Sequence, residues 1–256
     1  MQSSSNNPVM RESVFSGTGF GATSQTATMT VQGTMAKTAI LLLALTFSAA
    51  YTWRMGLEDP GSVMPWMWGG VLGGFGLALA ISFKPTWAPS LALPYALLEG
   101  LFLGAISVLI AGSVPAEAGV SGGIVFQAVV LTITTAFSML ALYAFRIIKV
   151  TERLRSIVMA ATGAVMLFYL VSMVLGFFGV HMSMLHGSGG LSIGISLFVV
   201  ALAAFNLLLD FDLIERGTRS GAPKAMEWYG AFALMVTLVW LYLEILRLLA
   251  KLRSRD

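Results

Sequence analysis

The sequence predicts an all-α polytopic membrane protein, a bundle of seven transmembrane helices. Of its 256 residues, 57% are hydrophobic and only 11% are charged, and the mean hydropathy is +0.85. A soluble domain carries about 25% charged residues. Seven apolar runs are each long enough to span a bilayer, at approximately 36–54, 64–83, 91–112, 123–146, 157–179, 190–211 and 226–250. These runs are continuous rather than alternating, which favours helices over the strands of a barrel.

Residues 1–33 precede the first run and are predicted to form a flexible polar tail. Ser, Thr, Gly and Asn dominate this segment, and it lacks the basic start and early apolar core of a secretory signal. Gly17, Gly19 and Gly21 are interpreted as linker rather than a phosphate loop, because no strand precedes them and no Walker lysine follows. Residues 34–250 are predicted to form the transmembrane domain, and residues 251–256 a short basic tail.

Glycines in the second and third runs have the spacing of close helix contacts. Small residues four positions apart allow two helix backbones to approach each other. We therefore expect these glycines to serve packing rather than chemistry: Gly69, Gly70, Gly73, Gly74 and Gly76 in the second run, and Gly100 and Gly104 in the third.

The basic residues predict the orientation in the membrane. A cytoplasmic N-terminus places most of them on the cytoplasmic side, namely Arg11, Lys37, Lys84, Arg146, Lys149, Arg153, Arg155, Arg216, Arg219 and Lys224. A C-terminal basic cluster opposes this orientation, and it consists of Arg247, Lys251, Arg253 and Arg255. Either the seventh run crosses the membrane despite its basic end, or it is re-entrant and the tail returns to the cytoplasm.

Asp210 is the residue that points most directly to function. In a helix, it lies roughly 28 Å from Leu191, near the cytoplasmic edge of the hydrocarbon. Ionisable groups at such depths usually mark a pathway or a switch. Asn206 precedes Asp210 by four residues and shares its helix face, and Glu99 of the third run lies at a similar depth. The alternative is that Asp210 reaches the interface or pairs with a neighbouring base.

Further acidic residues lie at the end of the sixth run and along the seventh. Asp212 and Glu215 are predicted to form ion pairs at the helix end with Arg216 and Arg219, four residues later. On the seventh run, polar or small residues recur at three- and seven-residue steps and predict one weakly polar stripe on an apolar helix. These residues are Glu227, Gly230, Thr237 and Glu244.

Composition argues against an enzyme, a cofactor site and nucleic-acid binding. The absence of cysteine excludes disulfides and thiolate metal sites. Ser188 lies in one loop with His181 and His186, and no later histidine could act as its base. Two histidines without a third ligand are weak evidence for a metal site. The net charge of +3 is modest, so no nucleic-acid partner is expected.

The last two runs resemble the carboxy-terminal helices of the Bax inhibitor-1 family. The similarity is carried by AAFNLLLDFDLIERG at 203–217, followed by KAMEWYGAFALMVTLVWLYLEILRLL at 224–249. Asn7 with Pro8, PYALLEGLFLGAIS at 94–107, and the spacing of the runs resemble a bacterial branch of that family. The resemblance implies six helices around a central, partly polar seventh. It also implies a multi-pass protein of the bacterial cytoplasmic (inner) membrane and a pH-sensitive calcium leak, with calcium as the transported ion.

In that family, an aspartate of the sixth helix pairs with one of the seventh, and their shared proton acts as a pH-sensitive latch. Asp210 matches the first position, whereas Thr237 occupies the position expected for the second aspartate. Glu99 is therefore predicted to compensate as the partner of Asp210. Lys84 and Arg146, at the inner ends of their helices, are possible charge partners of the same carboxylates, or they extend to the interface.

A carboxylate pair of this kind has a physical basis for gating. Two carboxylates in a low-dielectric site do not both ionise readily, so we expect them to share a proton and close a path. When both ionise, they repel and present hard oxygen ligands of the type that calcium prefers. The alternative function is a non-conducting regulator that binds a membrane protease or another membrane partner, in addition to the lipid bilayer.

Overall fold

The computed structural model describes residues 28–114, 122–179 and 189–254, and these residues contain the seven predicted spans. The predicted tail up to residue 27, its three glycines, and Ser188 with both histidines lie outside the described residues. The helices are α1 Val31–Glu58, α2 Met64–Phe83, α3 Ala88–Gly112, α4 Gly122–Ala144, α5 Glu152–Phe177, α6 Gly190–Arg219 and α7 Met226–Arg253. The first helix thus begins within the predicted tail, because Thr30 caps it by accepting a hydrogen bond from Gly33 N at 2.9 Å.

Two short turns fold the first three helices into consecutive hairpins. A 3₁₀ turn at Pro60–Val63 connects α1 to α2, and another at Pro85–Trp87 connects α2 to α3. Asp59 stabilises the first turn, since its carboxylate accepts a hydrogen bond from Gly61 N at 2.9 Å. Proline at the start of each turn suits its fixed φ and its missing N–H.

Glycine determines the closest helix contacts, as predicted. Gly100 and Gly104 of α3 lie directly against the α1 backbone, where an added Cβ would collide with the carbonyl oxygens of Leu45 and Ala49. On α2, Gly70, Gly73 and Gly74 face α3, and the absence of a side chain at Gly70 lets the two backbones approach each other. The prediction is wrong for Gly69 and Gly76, which face open space.

Helix α7 is the centre of the bundle, and this confirms a central seventh helix. It packs against α1, α3, α4 and α6, and 56% of its apolar segment is buried. Its predicted polar stripe faces inward, since Glu227, Gly230, Thr237 and Glu244 are all buried. The helix is continuous through its basic end, so the re-entrant alternative is wrong and the chain crosses a seventh time.

Helix α5 is the least buried of the seven described helices. Only 11% of its apolar segment is buried, and its main neighbour in the described chain is α6. Helix α3, by contrast, packs extensively against both α1 and α2, and α7 packs against α1 and α3. The bundle therefore combines a tightly packed half with a peripheral helix that covers part of α6.

Candidate functional site

Asp210 lies on α6 with its carboxylate directed at α7. The Thr237 hydroxyl of α7 lies near this carboxylate, and it donates to the Ala233 carbonyl oxygen at 3.3 Å. Asp210 Oδ2 is buried, and it has no hydrogen-bond partner among the residues that the structure describes. A buried carboxylate oxygen without a partner is costly unless the group takes up a proton or binds a cation. The chemistry available at Asp210 is therefore proton or cation uptake.

Asn206 lies one turn before Asp210 and connects α6 to α5. Its Nδ2 donates to Thr162 Oγ1 at 2.8 Å and to the Leu202 carbonyl oxygen at 2.9 Å. The side chain is thus fixed by one contact within its own helix and one across to α5. Asn206 and Asp210 lie on the same face of α6, because they are four residues apart.

Glu99 lies in a different part of the bundle. Its carboxylate lies near the Tyr95 hydroxyl, one turn earlier on α3, and Oε2 would be 3.1 Å from a Cβ added at Gly74 of α2. The Tyr95 ring packs edge-on against Phe232 of α7, with ring centroids 5.0 Å apart. The groups that act on Glu99 and on Asp210 do not include the other carboxylate.

Helices α3 and α6 are not among the helix pairs that pack extensively in the described chain, so the structure gives no support to the predicted pairing of Glu99 with Asp210. Similar depth along two helices fixes one coordinate, whereas contact also requires that the two helix faces point at each other. Glu99 points towards α2, and Asp210 points towards α7. Each carboxyl group has a hydroxyl as its neighbour, Tyr95 in one case and Thr237 in the other.

The C-terminal end of α6 carries the predicted ion pairs. Asp212 Oδ2 binds Arg216 Nε at 2.8 Å, and Glu215 pairs with Arg219, so both i, i+4 pairs are confirmed. Asp212 Oδ2 also accepts from Arg155 Nη2 of α5 at 2.5 Å. These ion pairs neutralise the charges of Asp212 and Glu215.

Two predicted charge partners lie elsewhere. Lys84 places its ammonium 4.6 Å from the centroid of the Trp87 ring, a cation–π contact at the end of α2. Arg146 ends α4 in the left-handed region with φ of 55°, and it acts on Glu215, which also accepts a hydrogen bond from Tyr143. Neither base is among the groups that act on Asp210 or Glu99, so their predicted role as partners of those carboxylates is not supported.

Glu227 caps the first helix. Its Oε1 accepts from both the backbone N and the hydroxyl of Thr30 at 3.0 Å, and its other oxygen pairs with Lys37. In a capping box, the residue at the third helical position supplies this carboxylate, but that residue here is Gly33. An added Cβ at Gly33 would collide with Glu227, so a residue of α7 completes the box of α1.

Glu244 is the buried acid of the C-terminal half of α7. Tyr169 of α5 donates to its two oxygens at 3.1 and 3.2 Å, and Arg247 Nη1 binds Oε1 at 2.8 Å. One helical turn further, Lys251 Nζ donates to Ser196 Oγ of α6 at 2.8 Å. Two cations at the basic end of α7, Arg247 and Lys251, thus bind polar groups inside the bundle.

Sequence reasoning missed the residues of α5 that reach the site. Arg155, Thr162 and Tyr169 recur every seven residues, a period that puts them on one helix face. That polar periodicity in an otherwise apolar helix was the available signal. Lys37 and Thr30 were also missed as partners of Glu227, because a contact between residues so distant in sequence has no local signature.

Two further observations limit what the site could hold. Within the described ranges, no group of three or more His, Cys, Asp or Glu residues is arranged to hold a metal ion. A cavity of about 510 Å³ lies among α1, α3, α4, α6 and α7, with an almost entirely apolar lining that includes Leu45, Val129 and Leu238 but not Asp210. The polar groups suited to an ion therefore lie between α5, α6 and α7.

Comparison with known proteins assigns the family. A family model described as Bax inhibitor 1 like matches residues 7–254. The chain belongs to this family. The match covers all seven spans, so the membership predicted from the last two helices is confirmed for the whole bundle.

No curated protein and no solved structure was found to match. Asp210 is on α6, and Thr237 of α7 lies near its carboxylate.

Proposed function

We propose that this Bax inhibitor 1 like protein is a pH-sensitive cation leak of the bacterial cytoplasmic membrane, with calcium as its ion and Asp210 as its gate. The observation that carries the proposal is the buried, unpartnered Oδ2 of Asp210 within a membrane-spanning helix. Ionisable residues of membrane helices mark ion and proton pathways.

The path follows polar side chains between α5, α6 and α7. From the inner end it passes Asp212 with Arg155, then Asp210 with Thr237, then Asn206 with Thr162. Glu244 with Tyr169 continues the series in the outer half. The central helix α7 and its neighbour α6 thus supply oxygen ligands at successive depths, as conduction between several weak sites requires.

A single carboxyl group replaces the predicted pair as the gate. With a proton, Asp210 is neutral and gives a cation no electrostatic attraction, so the path is closed. Without that proton, its charge attracts a cation, and Thr237 and Asn206 are neighbouring polar groups that could bind it. One carboxylate with neutral ligands makes a weak calcium site, and a weak site allows the ion to leave.

Calcium flux into liposomes that contain the purified protein tests the proposal. Flux should rise with pH as Asp210 loses its proton. Asp210→Asn mimics the protonated form, so its flux should fall about tenfold and lose its pH dependence, because removal of an ion contact of about 1.4 kcal/mol changes occupancy tenfold. Glu58→Gln is the matched control, since Glu58 is an exposed acid at the end of α1.

The contrary results have distinct meanings. A pH profile that Asp210→Asn leaves unchanged would exclude Asp210 as the gate. Absence of flux at every pH would exclude the leak and favour the second function, a regulator that binds a membrane protease or another membrane partner. Removal of residues 1–27 separates the two functions, because a regulator that acts through its tail would lose its effect while a leak would keep its flux.

A further inference from the structure

Helix α5 is joined to the rest of the bundle by polar contacts at regular intervals. Arg155 binds Asp212 at 2.5 Å, Thr162 accepts from Asn206 at 2.8 Å, and Tyr169 donates to Glu244 at 3.1 Å. The three α5 residues are seven positions apart and therefore form one line along the helix.

Apolar packing adds little to this attachment. In the part of α5 whose side chains the structure describes, Val158 is the residue with less than 9% exposure, while Met159, Met166 and Met173 are each more than half exposed. Lipid tails are as apolar as these side chains, so no hydrophobic force drives the helix onto the bundle. The polar contacts are thus the groups that hold α5 in place.

The position of these contacts relates α5 to the gate. Asp210 lies between Asn206 and Asp212 on α6, and α5 binds both of those residues, as well as Arg216 one turn further on through Glu152. Helix α5 therefore covers the stretch of α6 that carries Asp210. If α5 moved away, this stretch of α6 would be uncovered on the α5 side, and Asp210 would keep Thr237 of α7 as its neighbour on the other side.

We propose that α5 is the moving wall of the path, and that it opens laterally by release of the contacts at Thr162 and Tyr169. This inference rests on the proposed function, because it assigns the opening motion of the same site. The opposite side is not suited to this motion, since the backbones of α1 and α3 are in contact at Gly100 and Gly104.

Spin-label distances measure the motion without reference to transport. The chain has no cysteine, so a pair introduced by Met166→Cys on α5 and Phe75→Cys on α2 carries the only labels. In the double variant Thr162→Val with Tyr169→Phe, we expect a longer distance component across this pair. The reference pair Leu43→Cys and Phe75→Cys, on α1 and α2, should be unchanged.

The flux assay then connects the motion to the path. The double variant should raise calcium flux severalfold, whereas Ser156→Ala is the matched control because that exposed hydroxyl bonds only its own helix in the described contacts. A disulfide between Thr162→Cys and Asn206→Cys should suppress flux until it is reduced. This disulfide variant tests the same proposal in a protein whose α5 is fixed to α6 rather than released from it.

Each outcome decides one proposal. An unchanged label distance in the double variant overturns the role of α5, whatever the flux. A longer distance with unchanged flux, in a protein whose parent form conducts, also overturns it. If the parent protein conducts nothing at any pH, the proposed leak is wrong, and no wall of a conducting path remains to be assigned.

Discussion

Thr237 differs chemically from the aspartate that the family resemblance implied at its position. Its hydroxyl has one proton, and both the Asp210 carboxylate and the Ala233 carbonyl oxygen lie within its reach. A hydroxyl neither shares a titrating proton at these pH values nor repels an ionised carboxylate. The protonation state of this site is therefore determined by Asp210 and its surroundings rather than by a pair.

Thr237→Asp should restore a pair and shift the response. Two carboxylates at hydrogen-bonding range resist ionising together, so the pH at which calcium flux is half-maximal should rise. Liposome flux across a pH series measures the shift. Thr237→Ser keeps the hydroxyl and should leave the midpoint in place, and a midpoint that is equal in the two variants would contradict the single-carboxyl gate.

Gly33→Ala tests the capping of α1 by α7. An added Cβ would collide with the Glu227 carboxylate, and overpacking of this kind costs about 1–3 kcal/mol. We expect a lower apparent melting temperature in detergent. Gly163→Ala is the control, because that helical glycine of α5 has open space around it and alanine there should be neutral or stabilising. Equal melting temperatures for the two variants would contradict the contact.

Arg247 and Glu244 form an ion pair on the membrane-spanning helix α7. The Glu244 side chain is 1% exposed, so Arg247→Leu would leave a buried acid with Tyr169 but without its cation, at a cost of about 3–5 kcal/mol. The melting temperature should fall, and the double variant Arg247→Leu with Glu244→Gln should recover most of the loss. Failure of the second substitution to rescue would show that Arg247 acts through packing alone.

At the level of elements, apolar runs and spacing were sufficient to predict the spans, the packing glycines and the inward polar stripe of α7. They were insufficient for the partner of Asp210, because depth along a helix is one coordinate and the neighbouring face depends on tertiary packing. Thr162 had a periodic signal, whereas Lys37 with Glu227 had none, since that contact joins residues 190 positions apart.

The complete bundle crosses the membrane seven times, so Thr28 and Ser254 at the ends of the described chain lie on opposite sides. Thr28→Cys and Ser254→Cys should react with an impermeant maleimide from opposite faces of sealed vesicles. Labelling of Thr28→Cys from the cytoplasmic face would also support the orientation predicted from the basic residues. Reaction of both cysteines from one face would contradict the seventh crossing.

The shared cap of α1 has a consequence for comparison among relatives. A homologue with any side chain at the position of Gly33 would have no room for a long acid at the position of Glu227. A homologue with glutamate at the first position would supply the carboxylate locally and would no longer require one from the seventh helix. The two positions are therefore expected to covary, although 194 places separate them in the chain.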